Sequence, residues 1–169
     1  WDKFVERAVR ADWGGVENLS GVPGTVGGAP VQNIGCYGQS AEETIFAVKA
    51  IDISTGKIKV FSRKDCRFGY RTSIFKLKKY KKYFITELVF ELKIKGKPNI
   101  SAYPDIERYF SDKKEQPTLL ETRKAIIEIR SRKGMIIRPE YKSYMSTGSF
   151  FKNPIIQETL FKKVFANLP

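Results

Sequence analysis

Four short stretches of this chain gather residue types that could carry chemistry. In STGSFFKNP, Ser146 to Pro154, Ser149 stands between a glycine and two phenylalanines, with Lys152 and Asn153 close behind. Adjacent Phe150 and Phe151 face opposite sides if the segment is extended, so one face is expected to be core. Ser149 and Lys152 then either share the rim of a cavity or decorate a loop, and the stretch alone leaves both open. In PGTVGGA, Pro23 to Ala29, the glycines Gly24, Gly27 and Gly28 would let backbone amides approach a phosphate or a flat ring without Cβ obstruction. No GK[ST] follows and the spacing is not GxGxxG, so a tight structural turn fits the bare pattern as well as a ligand loop does. Arg71, in GYR, reads by itself as half of a surface ion pair. Arg130, Arg132 and Lys133, in IRSRK, read by themselves as last-turn cations that complement a helix dipole.

The residue types that are missing narrow the chemistry. The 169 residues contain no histidine, which excludes Ser-His-Asp and Cys-His catalysis and imidazole metal sites within this chain. Proton chemistry is left to Ser, Tyr, Lys, Arg and carboxylates. The two cysteines, Cys36 and Cys66, form no CxxC pair, so neither a disulfide framework nor a zinc site is expected, and a reducing cytoplasm fits. No apolar run approaches the roughly 20 residues of a membrane span. The net charge of +13 asks for an anionic partner, and its densest cluster is KLKKYKK, Lys76 to Lys82. Such a run with an interleaved aromatic could bind nucleic acid. A solvated hairpin end is the plainer reading.

These residues need elements to position them. Asp2 to Ala11 reads as helix and Val16 to Leu19 as a short turn. SGVPGTVGGAP, Ser20 to Pro30, holds four glycines and two prolines and reads as a loop. Phe46 to Phe61 reads as a β-hairpin joined around Thr55-Gly56. A second strand is expected from Phe84 to Lys95, with Phe84, Leu88, Phe90, Leu92 and Ile94 on one face. Pro104 to Lys114 suggests a short helix. A longer one opens at Thr118, whose TLLE pattern is a capping box with Glu121, and runs to Gly134 with Leu119, Ile126, Ile127 and Ile129 on its apolar face. QETLFKKVF is helix-like. The chain opens at Trp1 within WDKFVERAV, which reads as helix rather than a targeting segment, so it is expected to be cut from something longer.

Taken together, GGVENLSGVPGTVGGAPVQNIGCYGQS (Gly14 to Ser40), CRFGYRTSIFK (Cys66 to Lys76) and GSFFKNP (Gly148 to Pro154) resemble the UDP-N-acetylenolpyruvoylglucosamine reductase (MurB) family in order, spacing and identity. The resemblance covers essentially this whole chain but only the middle of the family's sequence. It implies an α+β fold, an FAD-binding domain of the vanillyl-alcohol-oxidase type followed by the start of a substrate-binding domain. The boundary is expected near Gly134, giving residues 1–133 and 134–169. It also implies a cytoplasmic flavoenzyme of peptidoglycan precursor synthesis. NADPH reduces FAD, and the flavin delivers hydride to the enolpyruvyl ether of the UDP-sugar substrate, giving UDP-N-acetylmuramate.

Residue by residue, the resemblance puts a flavin-contacting loop on Gly24, Thr25, Gly27, Gly28 and Ala29, with Asn33 and Gly35 behind it. It makes Arg71 the cation facing enolate-like charge and Ser149 the proton donor. Tyr103, Lys133 and Asn153 become substrate contacts, Lys133 toward the diphosphate. The family's first flavin loop and its catalytic glutamate are expected before Trp1 and after Pro169. Neither a nucleic-acid partner nor a membrane partner is expected, and oligomeric state is left open. Two rivals stand beside this reading. Another FAD oxidoreductase of the same broad fold explains PGTVGGA but not GSFFKNP with GYR. A basic nucleic-acid-binding module explains only the charge.

Overall fold

The computed structural model describes residues 1–137 and 151–166. Helix α1 (Asp2–Arg10) follows from Val5, Ala8 and Val9, which recur at helical spacing and are buried, with Asp2 in the first turn and Arg7 and Arg10 in the last. A two-residue strand β1 (Trp13–Gly14) leads into a 3-10 turn at Glu17–Leu19. The glycine-rich loop follows. A short hairpin, β2 (Gly35–Cys36) and β3 (Gln39–Ser40), comes next.

The main sheet is antiparallel and three-stranded. β4 (Ile45–Asp52) lies at its centre, flanked by β5 (Ile58–Ser62) and β6 (Tyr83–Phe90). Its inner residues Ile45, Val48, Ala50 and Phe61 pack with Val5, Val9, Leu19, Ile74 and Phe75 into one apolar core. After β5 a single turn of helix, α2 (Arg63–Cys66), reverses the chain. β7 (Lys93–Ile94) pairs back with β1.

α3 (Pro104–Tyr109) and α4 (Leu119–Arg132) close the described body, and α5 (Glu158–Phe165) follows separately. α4 starts where the sequence predicts. The Thr118 hydroxyl accepts from the Glu121 amide at 3.2 Å while the Glu121 carboxylate accepts from the Thr118 amide at 2.7 Å. It ends before Gly134, whose φ is +66°. Arg123 ties α4 to α1 through both Asp2 carboxylate oxygens, at 2.7 and 2.9 Å, in a half-buried bidentate pair. A second, smaller core gathers Tyr37, Ile106, Ile126 and Ile129. No described helix is long and apolar enough to cross a membrane.

Two expectations are corrected. The stretch Phe84–Lys95 is not one strand with one apolar face: Leu88, Phe90 and Leu92 pack on the core, but Phe84 is 66% and Ile94 79% exposed. Ile94 has left this sheet for β7, and the cause at Phe84 is a bulge in β6. Lys49 pairs with Glu87 and the next residue, Ala50, with Ile85, so one extra residue reverses the alternation. On α4, Leu119, Ile126 and Ile129 are buried as expected, whereas Ile127 lies at the edge, half-exposed.

The β4–β5 turn is held by one carboxylate. Asp52 pairs with Lys82 at 2.7 Å and accepts from the Ser54 amide at 3.0 Å. Lys82 first, and Ser54 after it, hold the Asp52 carboxyl down at about 2. The folded value lies below the value of roughly 4 in an unfolded chain, so the stabilisation is present above that value and is lost as pH falls through about 2. Asp52→Asn is therefore expected to lower the urea midpoint at neutral pH, with the gap from the parent protein closing as pH falls from about 4 toward 2. An unchanging gap across that window would show that the charge of Asp52 is not what stabilises the turn.

Candidate active site

Four of the residues singled out by sequence, Asn33, Gly35, Arg71 and Tyr103, meet at or beside the β2–β3 hairpin. Its turn residues, Tyr37 (φ +48°) and Gly38 (φ +74°), both have positive φ, the two-residue geometry that suits a right-twisted hairpin. Below it lies a buried polar cluster. The Gln39 side chain accepts from the Asn18 amide at 2.9 Å and donates to Glu17 at 3.2 Å. The Asn18 side chain donates to the Tyr37 carbonyl at 3.0 Å and to the Asn99 carbonyl at 3.2 Å. Glu17, Asn18 and Gln39 are each at least nine-tenths buried.

On this platform the GYR block closes against the hairpin. Arg71 donates from Nη2 to the Gly35 carbonyl at 2.6 Å. A Cβ at Gly35 would stand 2.5 Å from Arg71 Nη1, so glycine here is what lets the guanidinium lie over the strand. Asn33, 2% exposed, donates to the Gly69 carbonyl at 3.1 Å and accepts from the Glu42 amide at 3.0 Å, tying the end of the glycine loop to the same block. Arg71 has no carboxylate partner among the described residues, so it is not the surface ion pair that its sequence alone allowed.

The backbone is unusual at this place. Among the described residues, six non-glycine residues have positive φ, and Asn33, Tyr37, Arg67 and Arg71 are four of them. Conformations of this kind persist only where surrounding contacts over-determine them, and they gather at functional sites.

Tyr70 joins this block to the last described segment. The Arg71 guanidinium and the Lys152 ammonium each lie 5.2 Å from its ring centre. Lys152 and the exposed Asn153 thus sit beside the GYR block. Ser149 lies outside the described residues.

The loop Gly24 to Ala29 has the character of a cradle. Gly24 has φ +117° and open space where a Cβ would be. The Thr25 hydroxyl accepts from the Gly28 amide at 3.0 Å, and Ala29 anchors the loop with 1% exposure. The amides of Gly24, Val26 and Gly27 have no acceptor among the described residues, which fits a loop able to donate to an anionic or carbonyl-bearing group.

The two remaining residues fall on α3 and just past α4. Tyr103, 40% exposed, precedes α3 and sets its ring edge-on to Tyr37, 5.0 Å between centres. Lys133, at the end of α4, pairs with Asp105 on α3 at 2.5 Å. Sequence reasoning missed three supporting residues. Tyr37 carries the turn and the contact to Tyr103, and burial pushes its hydroxyl up to about 12. Cys36 receives a hydrogen bond on Sγ from Arg130 at 3.2 Å, and burial raises its thiol despite that cation. Arg130, 7% exposed, also donates to the Met135 carbonyl at 3.2 Å, which makes it a buried brace rather than a dipole-complementing surface cation. Only the Tyr-Gly turn dipeptide had a sequence signal. Among the described residues no cluster of His, Cys, Asp and Glu could hold a metal ion.

Comparison with known proteins gives concordant matches. A family described as "FAD binding domain" matches residues 1–62. The chain is 38% identical over 164 residues to the UDP-N-acetylenolpyruvoylglucosamine reductase of Thermobifida fusca, covering 96% of this chain and 46% of that protein. It is 39% identical over 160 residues to the enzyme of the same name from Bdellovibrio bacteriovorus, covering 95% and 46%. The crystal structure of UDP-N-acetylenolpyruvylglucosamine reductase (MurB) from Thermus caldophilus superposes with a TM-score of 0.60 at 25% identity, over 96% of this chain and 50% of that one. The chain spans about half the length of the curated relatives it matches.

The hairpin turn yields a test that needs no ligand. A Cβ on Gly38 would stand 2.5 Å from the Ala102 carbonyl oxygen, whereas one on Gly56, at a similar φ of +70°, would meet nothing within 4 Å. Gly56→Ala should lose only the left-handed conformational preference, about 1 kcal/mol. Gly38→Ala should lose about 2 kcal/mol or more, because turn and neighbouring backbone must separate. Equal losses in chemical denaturation would mean that the contact to Ala102 constrains nothing.

Proposed function

We propose, from the chain's kinship with the UDP-N-acetylenolpyruvoylglucosamine reductases, that it supplies the flavin-facing half of an enzyme reducing UDP-N-acetylglucosamine-enolpyruvate to UDP-N-acetylmuramate for peptidoglycan synthesis. The single observation carrying this reading is the meeting of Arg71, Gly35 and Asn33 on one hairpin beside the segment holding Lys152 and Asn153, since these belong to the three blocks that define the resemblance. When bound, FAD supplies the hydride, taken from NADPH, that reaches the enolpyruvyl carbon. Everything else falls to the protein's own side chains.

The cradle at Gly24, Thr25, Gly27, Gly28 and Ala29 binds and orients the flavin through the amides that lack internal acceptors. Arg71 faces the negative charge that develops on the substrate carboxylate as hydride arrives. Its fixed charge and planar fork suit that task, and its single backbone hydrogen bond leaves other donors available. Ser149 delivers the proton to the neighbouring carbon, a step for a short neutral donor. Lys133 and Tyr103 lie on the side of α3 and α4 and contact the nucleotide end. Lys133 exchanges its partner Asp105 for the diphosphate. On this reading residues 1–133 form most of a flavin domain, and 134–169 begin the domain that closes over the UDP-sugar.

Two substitutions in the full-length protein test the assignment. Ser149→Ala should leave flavin reduction by NADPH nearly intact while slowing the substrate half-reaction by roughly 10²- to 10⁴-fold, the range for a lost general acid. Rapid-mixing absorbance of the flavin separates the two halves, and equal slowing of both would remove Ser149 from proton delivery. Arg71→Lys keeps the charge but loses the fork, so the substrate half-reaction should slow by about 10²-fold or more. Turnover and substrate affinity both unchanged would mean that Arg71 serves only to pin Gly35.

A further inference from the structure

One end of the main sheet carries most of the chain's excess charge. Between Ile53 and Thr86 there are eleven Lys and Arg residues and a single carboxylate, Asp65, in a chain whose net charge is +13. The β4–β5 turn and the segment 76–82 lie side by side there, since the Ile53 amide donates to the Lys82 carbonyl at 2.8 Å. Lys82 is paired with Asp52. Lys57, Lys59, Lys76, Lys78, Lys79 and Lys81 are exposed, and none has an ion-pair partner among the described residues.

This basic end is also apolar at its tips. Ile53 in the turn is 68% exposed and Leu77, between lysines, 49%. Ile58 and Phe84, 61% and 66% exposed, flank the turn on the outer face, where both pair across β4 with Ile51. Of the aromatic rings nearby, Phe61, Tyr80 and Tyr83 are approached by ammonium groups and Phe84 is not, among the described residues. Lys59 lies 4.9 Å from the centre of Phe61 and 5.9 Å from that of Tyr83, Lys79 is 5.2 Å from Tyr80, and Lys82 is 5.3 Å from Tyr83.

That combination discriminates between polyanions. Single-stranded nucleic acid is gripped by several free aromatic faces on which successive bases stack, and here, of the four rings, only Phe84 is exposed without a cation over it among the described residues, while Phe61 is buried. A bilayer with anionic headgroups instead asks for a ring of lysines around aliphatic tips that can enter the interface. We propose that this end of the sheet, the β4–β5 turn with the segment 76–82, docks on an anionic phospholipid surface. The expectation of no membrane partner rested on the lack of an apolar span, and a surface contact requires none. Docking is independent of the flavin chemistry and of the residues assigned to it.

Co-sedimentation of the 169-residue chain with vesicles tests the proposal, using mixed phosphatidylglycerol and phosphatidylcholine against pure phosphatidylcholine. Binding to the anionic vesicles alone is expected, falling steeply as salt rises. The combined exchange Lys78→Glu, Lys79→Glu and Lys81→Glu should weaken it by roughly 100-fold or more. Ile53→Ser with Leu77→Ser should weaken it while leaving the salt dependence in place. All of these positions are exposed, and circular dichroism verifies that each variant is folded. No binding of the parent chain to anionic vesicles overturns the proposal. So does tighter binding to a single-stranded oligonucleotide than to vesicles, abolished by the same triple exchange.

Discussion

The candidate site depends on a buried amide cluster. Glu17, Asn18 and Gln39 are removed from water, and each must find hydrogen-bond partners there or cost the fold heavily. They find them in one another and in the Tyr37 and Asn99 carbonyls, except for Asn18 Oδ1, which is buried with no hydrogen-bond partner among the described residues. This fixes a hairpin of only two residues per strand, which could not hold its shape alone. The hairpin then offers its outer edge to everything else: Gly35 to Arg71, Cys36 to Arg130, Tyr37 to Tyr103.

Around that hairpin the electrostatics are one-sided. Arg71 and Arg130 both approach it, and neither has a carboxylate within ion-pair distance among the described residues. Their charge is tempered only by carbonyls and a thiol. An arrangement that leaves guanidinium groups uncompensated in the bare protein favours an anion over a neutral guest, because the anion replaces missing interactions rather than competing with existing ones. Lys133 differs in already holding Asp105, so any anion it bound would have to displace that carboxylate.

Elsewhere the same chain solves ordinary structural problems. The bulge in β6 turns Phe84 outward while keeping Ile85, Leu88 and Phe90 against the core. The bidentate Arg123 and Asp2 pair locks α4 to α1, and the Gly21 amide joins it by donating to Asp2 at 2.7 Å. This last contact leads straight into the glycine-rich loop. The loop therefore leaves a rigid two-helix base, so its amides are presented from a fixed start even though Pro23, Gly24 and Thr25 are exposed.

By itself the sequence determined whatever depends on neighbours along the chain. The capping box at Thr118 and the left-handed Gly134 bound α4, and the β4–β5 hairpin is read from period-two alternation about Thr55-Gly56. The lack of histidine restricts the proton chemistry, and three spaced blocks carry the kinship. Only the tertiary structure decided the rest. Arg71 meets Gly35 across 36 positions and Arg130 meets Cys36 across 94, and no local pattern announces such partners. The side of the sheet that Phe84 faces turned on one inserted residue, which reverses a period-two code without altering its composition. A buried polar group takes its partner from whatever the fold brings beside it, so Asn18 and Gln39, silent in the sequence, and Arg130, read there as a surface cation, brace the hairpin that Gly35 and Arg71 meet on.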